Sequence, residues 1–185
     1  MRRITDLIAK VELRHLHVIA AGIPPADHRT EVSMADFALP DRNTASPFAD
    51  LRGHHVALRV PSFDDAIAFY VGKLDFRIVH QWPYADQKLA YLALPNDDHF
   101  MIELLAGGDP LPNPAPTYAD LGDSLRQAGL HHFCINVADM QATVAALKAR
   151  GVTVVTEPFK LDEISRKLAF IADPFGNLIE LAEVV

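Results

Sequence analysis

The sequence predicts an α+β protein made of two tandem β-α-β-β-β modules, and an internal repeat is the main reason. Arg52–Val60 is matched by Leu130–Val137, and Leu89–Pro95 is matched by Leu168–Pro174. Around these segments, apolar residues alternate as in strands or recur as in helices, in the same order in both halves. A chain of 185 residues is about one domain's worth, so we expect the two modules to share a core.

A second regularity concerns residues that bind metals. The interval from His55 to Glu103 is 48 residues, and the interval from His132 to Glu180 is also 48 residues. Each module therefore carries one imidazole near its start and one carboxylate near its end. Two histidines and two glutamates form a nitrogen and oxygen ligand set that suits a divalent transition metal.

The first module is expected over residues 51–106. Val56, Leu58 and Val60 alternate with their neighbours, which is the period of a strand with two different faces. Ser62-Phe-Asp-Asp resembles a capping box, and the apolar residues from there to Leu74 recur at helical spacing. Three further strands are expected over Phe76–Gln81, Lys88–Leu94 and Phe100–Leu105.

The second module, expected over residues 130–185, repeats this order. A helix over Asp139–Arg150 is followed by Gly151, a residue typical of helix ends. Asp173-Pro-Phe-Gly-Asn predicts a turn between the last two strands. The four strands are expected over His131–Val137, Val152–Glu157, Lys167–Asp173 and Asn177–Val184.

Two further stretches have no repeat partner. Residues 1–50 form an N-terminal extension in which Thr5–Leu16 could be a short helix. Residues 107–129 form a linker with prolines at 110, 112, 114 and 116, followed by a helical turn near Leu121–Arg126.

The composition fits a soluble globular domain and argues against several other classes. Half of the residues are hydrophobic and the formal net charge is −7, which disfavours nucleic acid or an anionic membrane as the main partner. No apolar run approaches the length of a membrane span. Cys134 is the only cysteine, so the chain has no internal disulfide, and we expect a cytoplasmic protein.

Several motifs make the chain similar to a known superfamily. They are His55-Val-Ala-Leu-Arg-Val with Ala68-Phe-Tyr, Ile102-Glu-Leu, His132-Phe-Cys-Ile-Asn-Val, and Asp173-Pro-Phe-Gly-Asn-Leu-Ile-Glu-Leu. From Leu51 to Val185 the chain resembles the vicinal oxygen chelate proteins, which include glyoxalase I, methylmalonyl-CoA epimerase, extradiol dioxygenases and bleomycin-resistance proteins. The resemblance implies that the two sheets form an open half-barrel around a metal site.

Strand alternation predicts which side chains face the cleft. If the apolar residues of the first strand pack on the helix, His55, Ala57 and Arg59 face the other way. The corresponding residues of the second module are His132, Cys134 and Asn136. His54 and His131 precede the two candidate ligands, so alternation turns them away from the cleft, as structural or surface residues.

The two glutamates are placed by the same reasoning. Glu103 and Glu180 each stand between two bulky apolar residues, so their carboxylates lie on the face opposite to the core. An ionised carboxylate on a buried strand face is costly unless it is paired or coordinated. We therefore expect His55, Glu103, His132 and Glu180 to converge on one metal.

Among the chemistries of the superfamily, this ligand pattern is closest to that of glyoxalase I. The resemblance implies that a divalent ion (Zn, Ni, Co, Mn or Fe) polarises a substrate oxygen and stabilises an enediolate, while a glutamate moves the proton. We expect Glu180 to be the mobile catalytic base and Glu103 to be its partner across the metal. The reaction would be that of a lyase or isomerase acting next to the carbonyl of a small molecule.

Four residues are candidates for substrate binding. Arg59 matches an arginine that contacts glutathione in glyoxalase I, and its charge favours an anionic or carbonyl-bearing small molecule. Cys134 and Asn136 share the cleft face, and Lys160 resembles a lysine of the glutathione or loop site. We expect a homodimer, while the sequence leaves open whether each metal site lies within one chain or between two.

Two other functions stay open at this point. An iron-dependent extradiol-type dioxygenase would use His55, His132 and Glu180, but such enzymes also use a tyrosine near the position of Phe170 and a second-module histidine, and no histidine follows His132 here. A non-catalytic protein that binds a small molecule such as an antibiotic would keep the fold without a metal.

Overall fold

The computed structural model of the protein describes residues 39–109 and 118–185. The helix expected over Thr5–Leu16 and the four prolines from 110 to 116 lie outside these residues. The limits of the N-terminal extension and of the linker therefore stay predictions. None of the helices within the two described ranges is long and apolar enough to cross a membrane.

The first module has the predicted order of elements and a four-stranded sheet. Strand β1 pairs in parallel with β4, β4 is antiparallel to β3, and β3 is antiparallel to β2, which gives the order β1-β4-β3-β2. The elements are β1 His55–Val60, helix α1 Phe63–Tyr70, β2 Arg77–Tyr84, β3 Gln87–Leu94 and β4 Asp97–Gly107.

The second module repeats this topology in the strand order β5-β8-β7-β6, so the predicted fold class is confirmed. A short 3₁₀ helix, which the sequence analysis did not predict, separates β6 from β7. The elements are α2 Leu121–Ser124, β5 His132–Asn136, α3 Met140–Ala149, β6 Thr153–Leu161, the 3₁₀ helix Asp162–Ile164, β7 Arg166–Ala172 and β8 Leu178–Val184.

Strands β2, β4 and β6 are longer than the sequence predicted, and β2 and β6 each contain a proline. Strand β2 continues from Gln81 to Tyr84 through Pro83, and β6 continues beyond Glu157 through Pro158. Proline lacks the N–H that an interior strand needs, so it normally argues against a strand. Both strands lie at the edge of their sheets, where one side has no ladder to complete, and the proline is tolerated there.

The helices begin and end where their capping residues predict. Ser62 Oγ accepts a hydrogen bond from Asp65 N at 3.2 Å, and an Asp139 carboxylate oxygen accepts one from Ala142 N at 2.9 Å. Gly151 adopts φ 69° directly after α3, a left-handed conformation that glycine reaches without steric cost. These caps set the helices at the positions where their apolar faces cover the sheets.

The two modules share one apolar core and also contact each other through polar groups. Lys73 Nζ, just after α1, donates to the carbonyl of Gly151 at 2.9 Å, and Arg150, at the end of α3, donates to the carbonyl of Lys73 at 2.8 Å. Arg150 also pairs with Asp75 at 2.5 Å. The core residues come from both modules and include Leu58, Tyr70, Leu92, Ile102, Met140, Val144, Ile171 and Ile179.

A buried carboxylate joins the first helix to the last hairpin. Asp173 is 5% exposed, and one of its oxygens accepts hydrogen bonds from the backbone N–H groups of Phe175 and Asn177 at 2.9 and 2.8 Å. The other oxygen accepts from the Asn177 side chain at 2.8 Å and from the Tyr70 hydroxyl at 2.9 Å. Burial, followed by the charge of Asp173, raises the pKa of Tyr70 well above its usual range, so Tyr70 stays a hydrogen-bond donor.

Replacing Tyr70 with Phe should therefore destabilise the protein, because a buried carboxylate loses a donor that nothing replaces. We expect a loss of about 1–3 kcal/mol in the free energy of unfolding, measured by denaturant titration. Tyr118→Phe is the matched control, because among the described residues its hydroxyl makes one hydrogen bond, 3.3 Å long, to the carbonyl of Gly176. Equal stability losses in the two variants would contradict the role assigned to Asp173.

Candidate metal centre

Strand alternation places the candidate ligands on the open face of each sheet, as predicted. Leu58 and Val60 are buried in the core, while His55, Ala57 and Arg59 are exposed. In the central strands the neighbours of both glutamates are buried, since Ile102 and Leu104, like Ile179 and Leu181, are at most 3% exposed. The alternation therefore turns both carboxylates away from the core.

The first pair of candidate ligands is formed by β1 and β4. His55 Nε2 lies 3.1 Å from Glu103 Oε2, and the side chains are 29% and 13% exposed. The Tyr91 ring, on β3 directly opposite Glu103, lies 5.2 Å from the His55 ring. Trp82 follows at 4.8 Å from Tyr91, so aromatic rings extend from the pair towards the edge of the sheet.

The second pair has the same construction in β5 and β8. His132 Nε2 lies 2.6 Å from Glu180 Oε2, with side-chain exposures of 31% and 13%. Phe170 stands opposite Glu180 on β7, and its ring is 5.5 Å from that of His132. Phe170 has no hydroxyl group, so this position lacks the tyrosine of the dioxygenase pattern.

The chemistry of each pair fits a divalent metal. Each pair brings one imidazole nitrogen and one carboxylate oxygen together, and both groups are ligands of Zn²⁺ and similar ions. Both carboxylates are only 13% exposed, so a positively charged or hydrogen-bonding partner stabilises them.

The structure brings together the partners of each pair but does not bring the two pairs together. In residues 39–109 and 118–185, no three or more His, Cys, Asp or Glu side chains form a group that could hold one ion. A single chain thus presents two half-sites, each with one nitrogen and one oxygen donor, and the convergence of all four candidate ligands on one ion stays a prediction.

The expectation that His54 and His131 point away from the site is wrong. His54 Nδ1 lies 2.8 Å from His55 Nδ1, and its ring contacts Tyr91 at 5.6 Å. His131 Nδ1 lies 2.7 Å from His132 Nδ1. Both histidines precede the regular part of their strand, so pleat alternation does not govern them. The repeated His-His dipeptide was the signal in the sequence that could have identified these contacts.

Arg59 lines the same cavity as His132 of the second half-site, and its guanidinium is hydrogen-bonded to backbone carbonyls. Its guanidinium donates to the carbonyls of Val60 at 3.0 Å, of Leu105 at 2.8 Å and of Gly107. The cavity, of about 440 Å³, also includes His132 in its wall. Arg59 thus holds the end of β4 in place, and its side chain also lines the cavity.

The other candidate substrate residues are dispersed. Cys134 stands opposite Glu180 on the exposed face of β5. Asn136 lines a different groove, beside Lys73 and Arg150. Lys160 is exposed on β6 and pairs with Asp162 at 2.6 Å. Their roles in substrate binding stay predictions, and only Cys134 among these three lies directly beside a candidate ligand.

Comparisons with known proteins agree with this fold. The model of the Glyoxalase/Bleomycin resistance protein/Dioxygenase superfamily matches residues 52–181, so the chain belongs to that superfamily. A probable chloroplastic lactoylglutathione lyase of Arabidopsis thaliana is 35% identical over 132 residues, which are 70% of this chain and 35% of the relative. This chain thus corresponds to about a third of that relative's length.

Two further relatives resemble the chain over most of their own length. The mitochondrial methylmalonyl-CoA epimerase of Bos taurus is 29% identical over 169 residues, 89% of this chain and 93% of the relative. The crystal structure of a glyoxalase family protein from Enterococcus faecalis aligns with a TM-score of 0.59 at 25% identity, over 71% of this chain and 97% of that one.

The thiol of Cys134 should react slowly near neutral pH. Desolvation, and after it the negative charge of Glu180, raises the pKa of Cys134 to about 11, so the reactive thiolate is scarce below that pH. In chelator-treated protein, the rate of alkylation by iodoacetamide, followed by mass spectrometry, should rise with pH through 9 to 11, about where the thiol ionises. Glu180→Gln should increase the rate at pH 8, because it removes the repelling charge. A rate at pH 8 equal to that of a free cysteine would contradict this prediction.

Proposed function

We propose that the protein is a metal-dependent enzyme that moves a proton next to a carbonyl group of a small molecule, as a lyase or isomerase. The observation that supports it is the pair of equivalent His–Glu contacts, 3.1 and 2.6 Å long, on the open faces of the two sheets. Two imidazoles and two carboxylates form the ligand set of a divalent ion, and Zn, Ni, Co, Mn and Fe are all compatible with it.

We propose that two copies of the chain complete the metal site. Each chain presents its half-sites separately, and a two-fold dimer can place the His55–Glu103 pair of one copy opposite the His132–Glu180 pair of the other. Such a dimer contains two equivalent four-ligand sites. It also covers the aromatic face around Tyr91 and Trp82, which is partly open in the single chain.

The residues of the chain have distinct parts in the proposed reaction. A bound divalent ion would act as a Lewis acid towards the substrate carbonyl, which makes the neighbouring C–H more acidic. Glu180 accepts that proton, because the contact with His132 uses Oε2 and leaves Oε1 available. If Glu103, on the other half-site, starts protonated, it would give its proton to the carbon from a different direction, which inverts that carbon as an epimerase does and leaves Glu180 protonated. Tyr91 and Phe170 limit the access of water to the two carboxylates.

The named relatives support this reaction class and suggest probes. One is a probable lactoylglutathione lyase and another is a methylmalonyl-CoA epimerase. Each name includes an acyl group with a carbonyl next to a substituted carbon. Lactoylglutathione and methylmalonyl-CoA are therefore suitable first substrates to test.

Metal content tests the proposed ligands directly. Purified protein should hold about one divalent ion per four-ligand site, and His132→Ala or Glu180→Ala should remove most of it, because each change leaves an incomplete ligand set. His99→Ala, which changes an exposed histidine outside both pairs, is the matched control and should keep the ion. The measurement is elemental analysis of protein purified without chelators or a metal-binding tag. Full metal content in the double variant His132→Ala/Glu180→Ala would contradict the proposal.

Mixing two inactive chains tests whether the site is shared. One chain carries His55→Ala and Glu103→Ala, and the other carries His132→Ala and Glu180→Ala. If each site combines half-sites of two chains, every mixed dimer regains one intact site of its two. Random exchange makes half of the dimers mixed, so metal content per chain should recover to about a quarter of the wild-type value. No recovery after subunit exchange would show that each site is built within one chain.

Hydrogen exchange with solvent tests the chemistry. The enzyme should exchange the hydrogen beside the carbonyl of a substrate with deuterium from D₂O, detected by proton NMR. Glu180→Gln should abolish the exchange even in preparations that retain metal, because an amide does not accept the proton. Glu157→Gln, which changes an exposed carboxylate on β6, should leave it intact. Consumption of one O₂ per turnover without exchange would establish a dioxygenase, and tight ligand binding without metal or turnover would establish a binding protein.

A further inference from the structure

A chain of hydrogen bonds leads from the backbone of α2 to the second candidate ligand pair. Ser124 is 4% exposed, and its hydroxyl donates to the carbonyl of Leu121 at 2.6 Å. The same hydroxyl oxygen lies 2.8 Å from His131 Nε2, and His131 Nδ1 lies 2.7 Å from His132 Nδ1. His132 Nε2 then meets Glu180 at 2.6 Å.

The direction of these hydrogen bonds follows from counting protons. A serine hydroxyl has one hydrogen, and in Ser124 it is used on the carbonyl of Leu121. The contact with His131 Nε2 therefore requires that His131 donate and Ser124 accept. A neutral His131 with its hydrogen on Nε2 has a lone pair on Nδ1, and that lone pair accepts the Nδ1–H of His132.

This arrangement leaves Nε2 as the atom of His132 that can bind an ion. A ligating histidine commonly donates its second ring N–H to a neighbouring acceptor, which sets both its tautomer and its orientation. We propose that His131, held by Ser124, is a positioning residue that keeps His132 in the tautomer whose Nε2 lone pair points to the metal. This inference rests on the proposed function, since it concerns how the metal is held.

The first module offers a natural contrast. His54 Nδ1 contacts His55 Nδ1 at 2.8 Å, yet in the described part of the chain no side chain or carbonyl accepts from the other nitrogen of His54. His54 is also exposed, whereas His131 is partly covered. The tautomer of His55 is thus less constrained than that of His132, and His54 provides the matched control for His131.

The test measures zinc affinity by competition with a chromophoric chelator, and it uses full-length variants. His131→Leu should weaken Zn²⁺ binding roughly 10- to 100-fold, the usual effect of losing the hydrogen-bond partner of a ligand. His131→Asn should restore part of the affinity, because its amide oxygen can accept from His132 where Nδ1 did. Ser124→Ala should weaken binding less than His131→Leu, and His54→Leu should have the smallest effect. If His131 only filled space, Leu would serve at least as well as Asn.

A second measurement reports the tautomers themselves. In zinc-loaded protein with ¹⁵N-labelled histidine, long-range proton–nitrogen spectra should show hydrogen on Nδ1 of His132 and on Nε2 of His131. In Ser124→Ala the His131 signals should shift towards a mixture of tautomers. Hydrogen on Nδ1 of His131, or equal zinc affinity in wild-type protein, His131→Leu and His131→Asn, would overturn the inference.

The two proposals fail in different ways. Wild-type protein that binds no zinc would contradict the proposed metal site, and the His131 tautomer could then still be read in the metal-free protein. Wild-type protein that binds zinc with an affinity independent of position 131 would contradict the positioning role alone.

Discussion

The arrangement of the site depends on the alternation of side chains along the two central strands. Strands β4 and β8 lie inside their sheets, with β1 or β5 on one side and an antiparallel partner on the other. Their apolar residues are locked in the shared core, so a shift of one residue would bury Glu103 or Glu180 and expose Ile102 or Ile179. Because burying either carboxylate is costly, the register of the core also sets the position of the candidate ligands.

The parallel pairing of the first and last strand of each module completes each half-site. In β1 and β4, Ala57 is the partner of Glu103, and His55 lies two residues earlier on the same face. In β5 and β8, Cys134 is the partner of Glu180, with His132 again two residues earlier. The same offset in both modules explains why both His–Glu contacts form, although their surroundings differ. Tyr91 flanks one histidine and Phe170 the other, and only His131 is tied to a buried serine.

The most distinctive sequence motif has a structural function in the chain. Asp173-Pro-Phe-Gly-Asn forms the turn before β8, and the Asp173 carboxylate is saturated by hydrogen bonds from its own turn and from Tyr70 of the first helix. Together with the reciprocal contacts of Lys73 and Arg150, this turn holds the modules against each other.

The sequence by itself determined the modules, their strand order along the chain and the faces of the ligand strands. Periodicity and capping residues are local properties, so His55, Glu103, His132 and Glu180 could be assigned to the open faces without a structure. Strands β2 and β6 were predicted too short, and only the sheet topology shows that they lie at sheet edges, where Pro83 and Pro158 are tolerated. Local patterns also gave the wrong direction for His54 and His131, which lie before the regular pleat. Only the tertiary structure shows that the four candidate ligands lie as two separate pairs within the described part of the chain, and that Ser124, seven residues earlier, reaches His131. Those contacts depend on how modules and turns pack in three dimensions, and no spacing along the chain encodes that packing.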